Sequence, residues 1–362
     1  MRRLLAGAFA VGVMGAAGGL GTGVAAAEPV FPPPRDPAPS PVGPSSPAQV
    51  VYALGGARAP GIPWYDYTNR AGADYYPNAK RELVDYPAGA PFSWVPDMFL
   101  PAGSERDTES IGEAAHVATN NLNAALQRDD SSHASVVGLS QGTLGLDGEM
   151  ARLANDPNAP ARDKLTFTEI GNPIGHHAFG QSFLTGIFKP GDYIPFIDYT
   201  LPPQVDSQYD QNKVVATYDG LADFPDRADN LLAGANAFAA SAIVHTPAAF
   251  TSPDMVPPQN RRTIVNSKGA TETTYLIPVN HLPLTLPLRY LGLSNGFVDQ
   301  IDAVLQPQID AGYSRYDNPL NRPVSVDPVN GMDPIGSLDP ATRNTIEDTF
   351  ATVRSFMPPG LP

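Results

Sequence analysis

The feature that most constrains this chain is Val136-Val137-Gly138-Leu139-Ser140-Gln141-Gly142. Ala134 to Gly138 has the apolar character of a buried strand, and a small-residue helix follows at once, running through Met150 and Leu153. A serine at so sharp a strand-to-helix turn is held in a strained backbone conformation that lifts its hydroxyl above the sheet edge. Glycines two residues to either side leave room for neighbouring backbone. The helix N-terminus adds N–H groups and a positive dipole end where an oxyanion would form. The pattern predicts a nucleophile elbow, with Ser140 as nucleophile and the N–H of Gln141 as one oxyanion donor. A second donor is expected from the loop after the first strand, Gly55-Gly56-Ala57-Arg58, with Ala57 as the candidate.

Other segments extend the strand–helix alternation. Val50 to Leu54 reads as a buried strand ending in two glycines. Ser110 to Gln127 reads as a helix opened by a Ser110/Glu113 capping box. Lys164 to Ile170 and Lys213 to Tyr218 are further strands, and Asp229 to Val244 is a helix. The expected class is α/β, with a mostly parallel sheet covered by helices on both faces. From about residue 250 the character changes to an elaboration. Arg262 to Ile277 is a hairpin turning at Lys268-Gly269, and a helix is expected around Phe297 to Leu305. A last helix is capped by Asp339, with Pro340 at its first position and Ile346, Phe350 and Val353 on one face.

A serine hydroxyl needs a base, and a histidine base needs an orienting carboxylate. In this arrangement the chain order is serine, acid, histidine. Of the six histidines, His116 and His133 precede Ser140, and His176 and His177 precede the acid loop Tyr218-Asp219-Gly220-Leu221-Ala222-Asp223. Asp223 is favoured narrowly over Asp219 as the acid. His245, at the end of Ala242-Ile243-Val244, is favoured as base, with His281 as rival.

The chain has 362 residues, no cysteine and a formal net charge of −14. Thiolate chemistry and disulfides are excluded, and the acidity argues against nucleic acid as a partner. No nucleotide loop, flavin motif or metal cluster is visible, so no cofactor or metal is expected. Residues 1–27 carry Arg2-Arg3, a long uncharged stretch and Ala25-Ala26-Ala27. They read as a cleaved export signal in preference to an uncleaved anchor. Residues 28–48 are a proline-rich spacer, and residues 49–362 form the folded domain. The folded part is expected outside the cytoplasm, secreted or associated with the cell envelope.

With these residues assembled, the chain resembles the PE-PPE domain family of mycobacterial serine α/β-hydrolases, cutinase-like in fold. The resemblance runs from about Val50 to Tyr313. It rests on LGGARAP, VVGLSQGT, YDGLADFPDRADNLLAGANAFA, the Val244-His245-Thr246 step and TTYLIPVNHLPLTLPLR. It implies a Ser-Asp-His triad of Ser140, an aspartate of the YDGLAD loop and His245. The cutinase-like spacing of five residues after Tyr218 points to Asp223. His281 stands where another polar residue is expected, which keeps it open as a base. Members carrying an export signal, with no PE or PPE helical module in front, resemble envelope acyltransferases. Those enzymes move fatty acyl chains between acylated trehalose lipids, which would be the donor and acceptor here, with envelope lipid-export machinery as a further partner. Transfer would need an apolar, water-poor cleft, for which Phe183 to Phe196 and Leu282 to Leu293 are candidate walls. The competing readings are an esterase or lipase that uses water as acceptor, and a non-catalytic envelope-binding protein on the same fold.

Overall fold

The computed structural model describes residues 48–58, 63–92, 107 and 109–356. The expected export signal and nearly all of the proline-rich spacer lie outside the described residues. A seven-stranded sheet forms the centre. Its strands are β1 (Val50–Leu54), β2 (Lys80–Leu83), β3 (Ala134–Leu139), β4 (Leu165–Ile170), β5 (Asp210–Ala216), β6 (Arg261–Val265) and β7 (Thr271–Ile277). The spatial order is β6-β7-β5-β4-β3-β1-β2, and every neighbouring pair is parallel except β6 with β7. The C-terminal hairpin is thus present, and it widens the central sheet in place of standing apart from it.

Helices cover both faces, as parallel strands buried on both sides require. α1 (Trp64–Arg70), α2 (Ile111–Leu126), α3 (Gly142–Leu153), α4 (Leu231–Ile243), α5 (Leu286–Tyr290), α6 (Asn295–Asp310) and α7 (Pro340–Ser355) follow in chain order. The capping box at Ser110 and Glu113 is formed, and Asp339 accepts from the N–H groups of Ala341 and Thr342 at the head of α7. α4 is capped by Asn230, one residue beyond the expected Asp229. α1 and the edge strand β2 carry too many polar residues to have stood out by periodicity. Among the described residues, no helix is long and apolar enough to cross a membrane.

The core is split by the sheet. On one side Val136, Phe167 and Tyr209 pack with Ala118 and Leu122 of α2 and Leu146 and Met150 of α3. On the other, Val137, Val214 and Ile277 pack with Ala233, Ala240 and Val244 of the α4 region. This anchors α3 and α4 on opposite faces, with the end of α4 returning toward the sheet's C-terminal edge. β1 lies between β2 and β3, so the strand order reverses there. A crevice opens outside the carboxyl ends of β1 and β3, the usual position for a ligand in an open α/β sheet.

Candidate active site

Ser140 follows β3 with no intervening residue and has φ +51°, a left-handed conformation unusual outside glycine. The flanking glycines are sterically demanded. A Cβ on Gly142 would lie 2.6 Å from the carbonyl oxygens of both Leu54 and Gly55, and one on Gly138 would lie 3.1 Å from the Gly142 backbone. The turn therefore jams strand, helix and the β1 loop together. Two more left-handed residues end the adjacent strands: Gly171 after β4 (φ +62°) and Tyr218 after β5 (φ +68°). At Gly171 a Cβ would stand 2.8 Å from the His245 ring, so a glycine there is what lets the imidazole reach the sheet edge.

His245 lies just past α4 and is buried. Its Nε2 is 2.7 Å from Ser140 Oγ, and its Nδ1 is 2.7 Å from Asp219 Oδ2. The other Asp219 oxygen accepts from the Leu221 N–H at 3.0 Å, which fixes the carboxylate beneath the ring. The order serine, acid, histidine holds along the chain, and the carboxylate that meets His245 is Asp219.

Asp223, favoured from sequence, is engaged elsewhere. It is fully buried and takes a two-pronged ion pair from Arg315, at 2.5 and 2.7 Å, while also accepting from the Tyr218 N–H at 2.7 Å. Arg315 lies far along the chain in a single 3-10 turn, Ser314–Tyr316, that carried no motif, so nothing local could have assigned it. Bidentate guanidinium–carboxylate pairing gives both oxygens of a buried aspartate a hydrogen-bond partner. Asp223 therefore braces the strained Tyr218 turn from behind, while Asp219, at its tip, faces His245.

His281 is not among the residues lining the Ser140 cavity. It sits by Asp299 and Asp302, and ligand atoms of the three lie within 4.8 Å of one another. Arg289 already bonds both aspartates, at 2.7 and 2.8 Å, and Thr285 donates to Asp302. The charge a cation would balance is thus met by a guanidinium. His176 and His177 sit in a short hairpin with Gly180 and Gln181. His177 is held next to Asp223, at 3.6 Å.

The Ser140 cavity has a volume of about 340 Å³. Gly56 and Ala57, of the loop offered for the second oxyanion donor, border it. The Gly55 carbonyl accepts from the Tyr86 hydroxyl and the Gly56 carbonyl from the Trp64 indole, at 2.5 and 2.6 Å. Both oxygens are thereby tied to the scaffold. A Cβ on Gly56 would come within 3.2 Å of Ser140 Cβ, so this backbone runs tight against the nucleophile. Gln141 heads α3, where the first N–H groups have no intrahelical acceptor. The far wall comes from Leu286, Pro287 and Tyr290 and, unforeseen from sequence, from Thr342, Ile346 and Phe350 of α7. α7 is held by a Tyr67–Asp339 hydrogen bond, stacking of Tyr290 on Phe350 at 5.4 Å, and Arg354 bonding the Tyr290 carbonyl. Leu282, offered as a wall, is instead core.

A serine, histidine and aspartate linked in this order at the carboxyl edge of a parallel sheet define the serine α/β-hydrolase class. The PE-PPE domain family model matches residues 77–314, and the chain belongs to that family. It is 64% identical to the diacyltrehalose acyltransferase Chp2 of Mycobacterium tuberculosis over 353 residues, 96% of this chain and 98% of that one. It is 40% identical to the SL1278 acyltransferase Chp1 of the same organism over 314 residues, covering 86% and 70% of the two chains. The esterase PE16 of that organism is 31% identical over 230 residues, covering 60% and 42%. With acyltransferases and an esterase as its kin, the chain is an enzyme.

Two predictions concern the scaffold beneath the site. Replacing Arg315 with Met strands a buried carboxylate and should cost about 3–5 kcal/mol of stability, read by denaturant unfolding. Burial, aided by the nearby Arg315 and Lys213 charges, pushes His177 down to about 4. Between that value and the ordinary histidine range, the unfolded chain binds a proton that the folded chain refuses, so stability falls as pH is lowered through this window. The slope should approach about 1.4 kcal/mol per pH unit from this residue. Unfolding titrations at pH 7, 6 and 5 should show a shallower slope in His177→Gln.

Proposed function

We propose that the chain is a serine acyltransferase that moves fatty acyl groups between acylated trehalose lipids, with Ser140, His245 and Asp219 as its triad. The observation that carries the reading is the unbroken Ser140–His245–Asp219 hydrogen-bond chain on the wall of a largely apolar cavity. The near-full-length likeness to a diacyltrehalose acyltransferase supports the substrate class.

In the first half-reaction His245 Nε2 takes the Ser140 proton as Oγ attacks the ester carbonyl of the donor. The Gln141 N–H and the Ala57 backbone are the proposed donors to the oxyanion. Asp219 holds the imidazole in the tautomer with its proton on Nδ1 and stabilises the cation that forms. His245 then returns the proton to the departing sugar oxygen, leaving the acyl group on Ser140. In the second half-reaction an acceptor sugar hydroxyl gives its proton to His245 and attacks the acyl-enzyme, and Ser140 regains its proton. The number of ester bonds is conserved, so no energy source is needed. Arg2-Arg3 followed by a long uncharged stretch supports export of the enzyme across the cytoplasmic membrane.

The test uses purified protein and an acylated trehalose donor, with and without an acyl-trehalose acceptor, with products resolved by mass. A more highly acylated trehalose should form with wild type and be absent with Ser140→Ala. Asp219→Asn should lower kcat by about ten-thousand-fold, the usual effect of losing the orienting carboxylate. Free fatty acid alone, indifferent to acceptor, would make water the acceptor and sink the transferase reading.

A further inference from the structure

A second cavity, of about 210 Å³, opens along α4 next to the one holding Ser140. Its walls are Phe183, Ile187, Phe188, Phe196, Phe224 and Phe238. The rings are ordered against one another: Phe183 meets Phe224 edge-on at 5.1 Å, and Phe188 lies 6.2 Å from Phe196. Despite its apolar lining the cavity is open to solvent, for Ile187, Phe196 and Phe238 are 53%, 36% and 49% exposed. An aromatic cavity with an exposed apolar rim marks a binding site for an apolar ligand.

The cavity is tied to the candidate catalytic centre by two features. Gly220 and Leu221, which directly follow Asp219, form part of its wall, and Ser241 of α4 borders both this cavity and the one holding Ser140. α4 itself, LLAGANAFAASAI, has no charged residue, although Leu231, Ala235 and Phe238 face solvent. A surface helix ordinarily carries charge on its outer face. This one offers apolar surface between the two cavities.

We propose that the aromatic cavity holds a fatty acyl chain of the acceptor lipid while the chain being transferred occupies the Ser140 cavity. This rests on the transferase reading above: one cavity suffices for hydrolysis of a single-chain ester, whereas transfer between two acylated sugars needs a second chain held alongside the first. The α4 wall, apolar and lacking charge, lets the two chains lie along one helix with their sugar heads meeting near Ser241. The ligand recognised is an unbranched or branched hydrocarbon chain, since the Ser241 hydroxyl, which already donates to the Ala237 carbonyl, is the one polar side-chain group among the lining residues.

Gly234 allows a direct test. It lines the cavity, and a Cβ built on it meets no neighbouring element within 4 Å, so the side chain of Gly234→Phe starts into open space at the cavity wall. Replacing a helical glycine also favours the helix, so folding is preserved. Gly296 in α6 has equally open surroundings and lines neither cavity, making Gly296→Phe the matched control.

Trehalose monopalmitate is titrated calorimetrically, below its micellar concentration, into Ser140→Ala protein. Two molecules should bind per chain, one after adding Gly234→Phe, and two after adding Gly296→Phe. Free palmitate should displace the second molecule and trehalose should not. In otherwise native enzyme, Gly234→Phe should raise KM for the acyl acceptor at least about tenfold, the worth of roughly two buried methylenes. A stoichiometry unchanged by Gly234→Phe, or displacement by trehalose instead of palmitate, overturns the proposal. Labelling of wild-type Ser140 by a fluorophosphonate separates the two readings. Labelled serine with unchanged stoichiometry sinks the acyl cavity alone. Unlabelled serine with the second molecule lost on Gly234→Phe sinks the triad and keeps the cavity.

Discussion

The contact between the Gly142 backbone and the carbonyls of Leu54 and Gly55 sets the geometry from which the rest of the site follows. Because no Cβ fits there, α3 can start directly against the end of β1, and the only path from β3 into that helix passes through a left-handed residue. Serine at that position is strained, and the strain is maintained by the packing of β1, β3 and α3 around it. The neighbouring strands repeat the device. Gly171 ends β4 in the same backbone region and leaves a gap that the His245 ring fills, while Tyr218 ends β5 likewise and presents Asp219. Three left-handed turns in a row on one sheet edge contour the surface into which the imidazole seats.

The acid loop shows how two similar carboxylates are separated by environment. Asp219 and Asp223 are both fully buried within one short loop. A buried carboxylate must be paired or bonded, and the partners differ. Arg315 takes both oxygens of Asp223, so that group has little capacity left for a histidine, and its bond to the Tyr218 N–H directs it at the backbone. Asp219 has no guanidinium and accepts from the Leu221 N–H and His245. The spacing argument that favoured Asp223 counted residues from Tyr218 without knowing that Tyr218 itself turns left-handed. That turn brings the first aspartate, not the second, under the ring.

What could be read in advance was the local part. Strand, serine turn and helix are contiguous, so VVGLSQG carried its own structural context, and the capping residues Ser110 and Asp339 declared their helices by short-range chemistry. His245 was legible from chain order and from its place at the end of α4. What escaped was everything set by distant pairing. Arg315 reaches Asp223 from a 3-10 turn without a motif, and α7 crosses back over the Ser140 cavity to meet Tyr67 and Tyr290. Phe183 to Phe196 was expected to wall the acyl cleft, but its rings line a separate cavity beside the one holding Ser140, because aromatic content alone says nothing about which cavity a segment faces. Only the fold reveals that its rings line an open cavity.

If the enzyme transfers acyl groups as proposed, the hardest task for this architecture is to disfavour water, which is abundant and small, against a sugar hydroxyl. A water held near the acyl-enzyme needs several polar partners to be retained. In the Ser140 cavity the walls beyond Ser140 and His245 are supplied chiefly by Leu139, Ile243, Leu286, Ile335, Ile346 and Phe350. Of the other polar side chains there, Trp64, Tyr67, Thr68 and Ser241 already donate within the protein, to the Gly56 carbonyl, Asp339, the Trp64 carbonyl and the Ala237 carbonyl. An attacking water would therefore find few partners beyond His245 and the hydroxyls of Thr246 and Thr342. A sugar hydroxyl can be anchored through the acyl chain attached to its own ring, and that binding energy is available to position it. Selectivity for transfer over hydrolysis would then come from the hydrocarbon contacts along α4 and beneath α7, far from the serine, and would require no change in the proposed Ser140–His245–Asp219 triad.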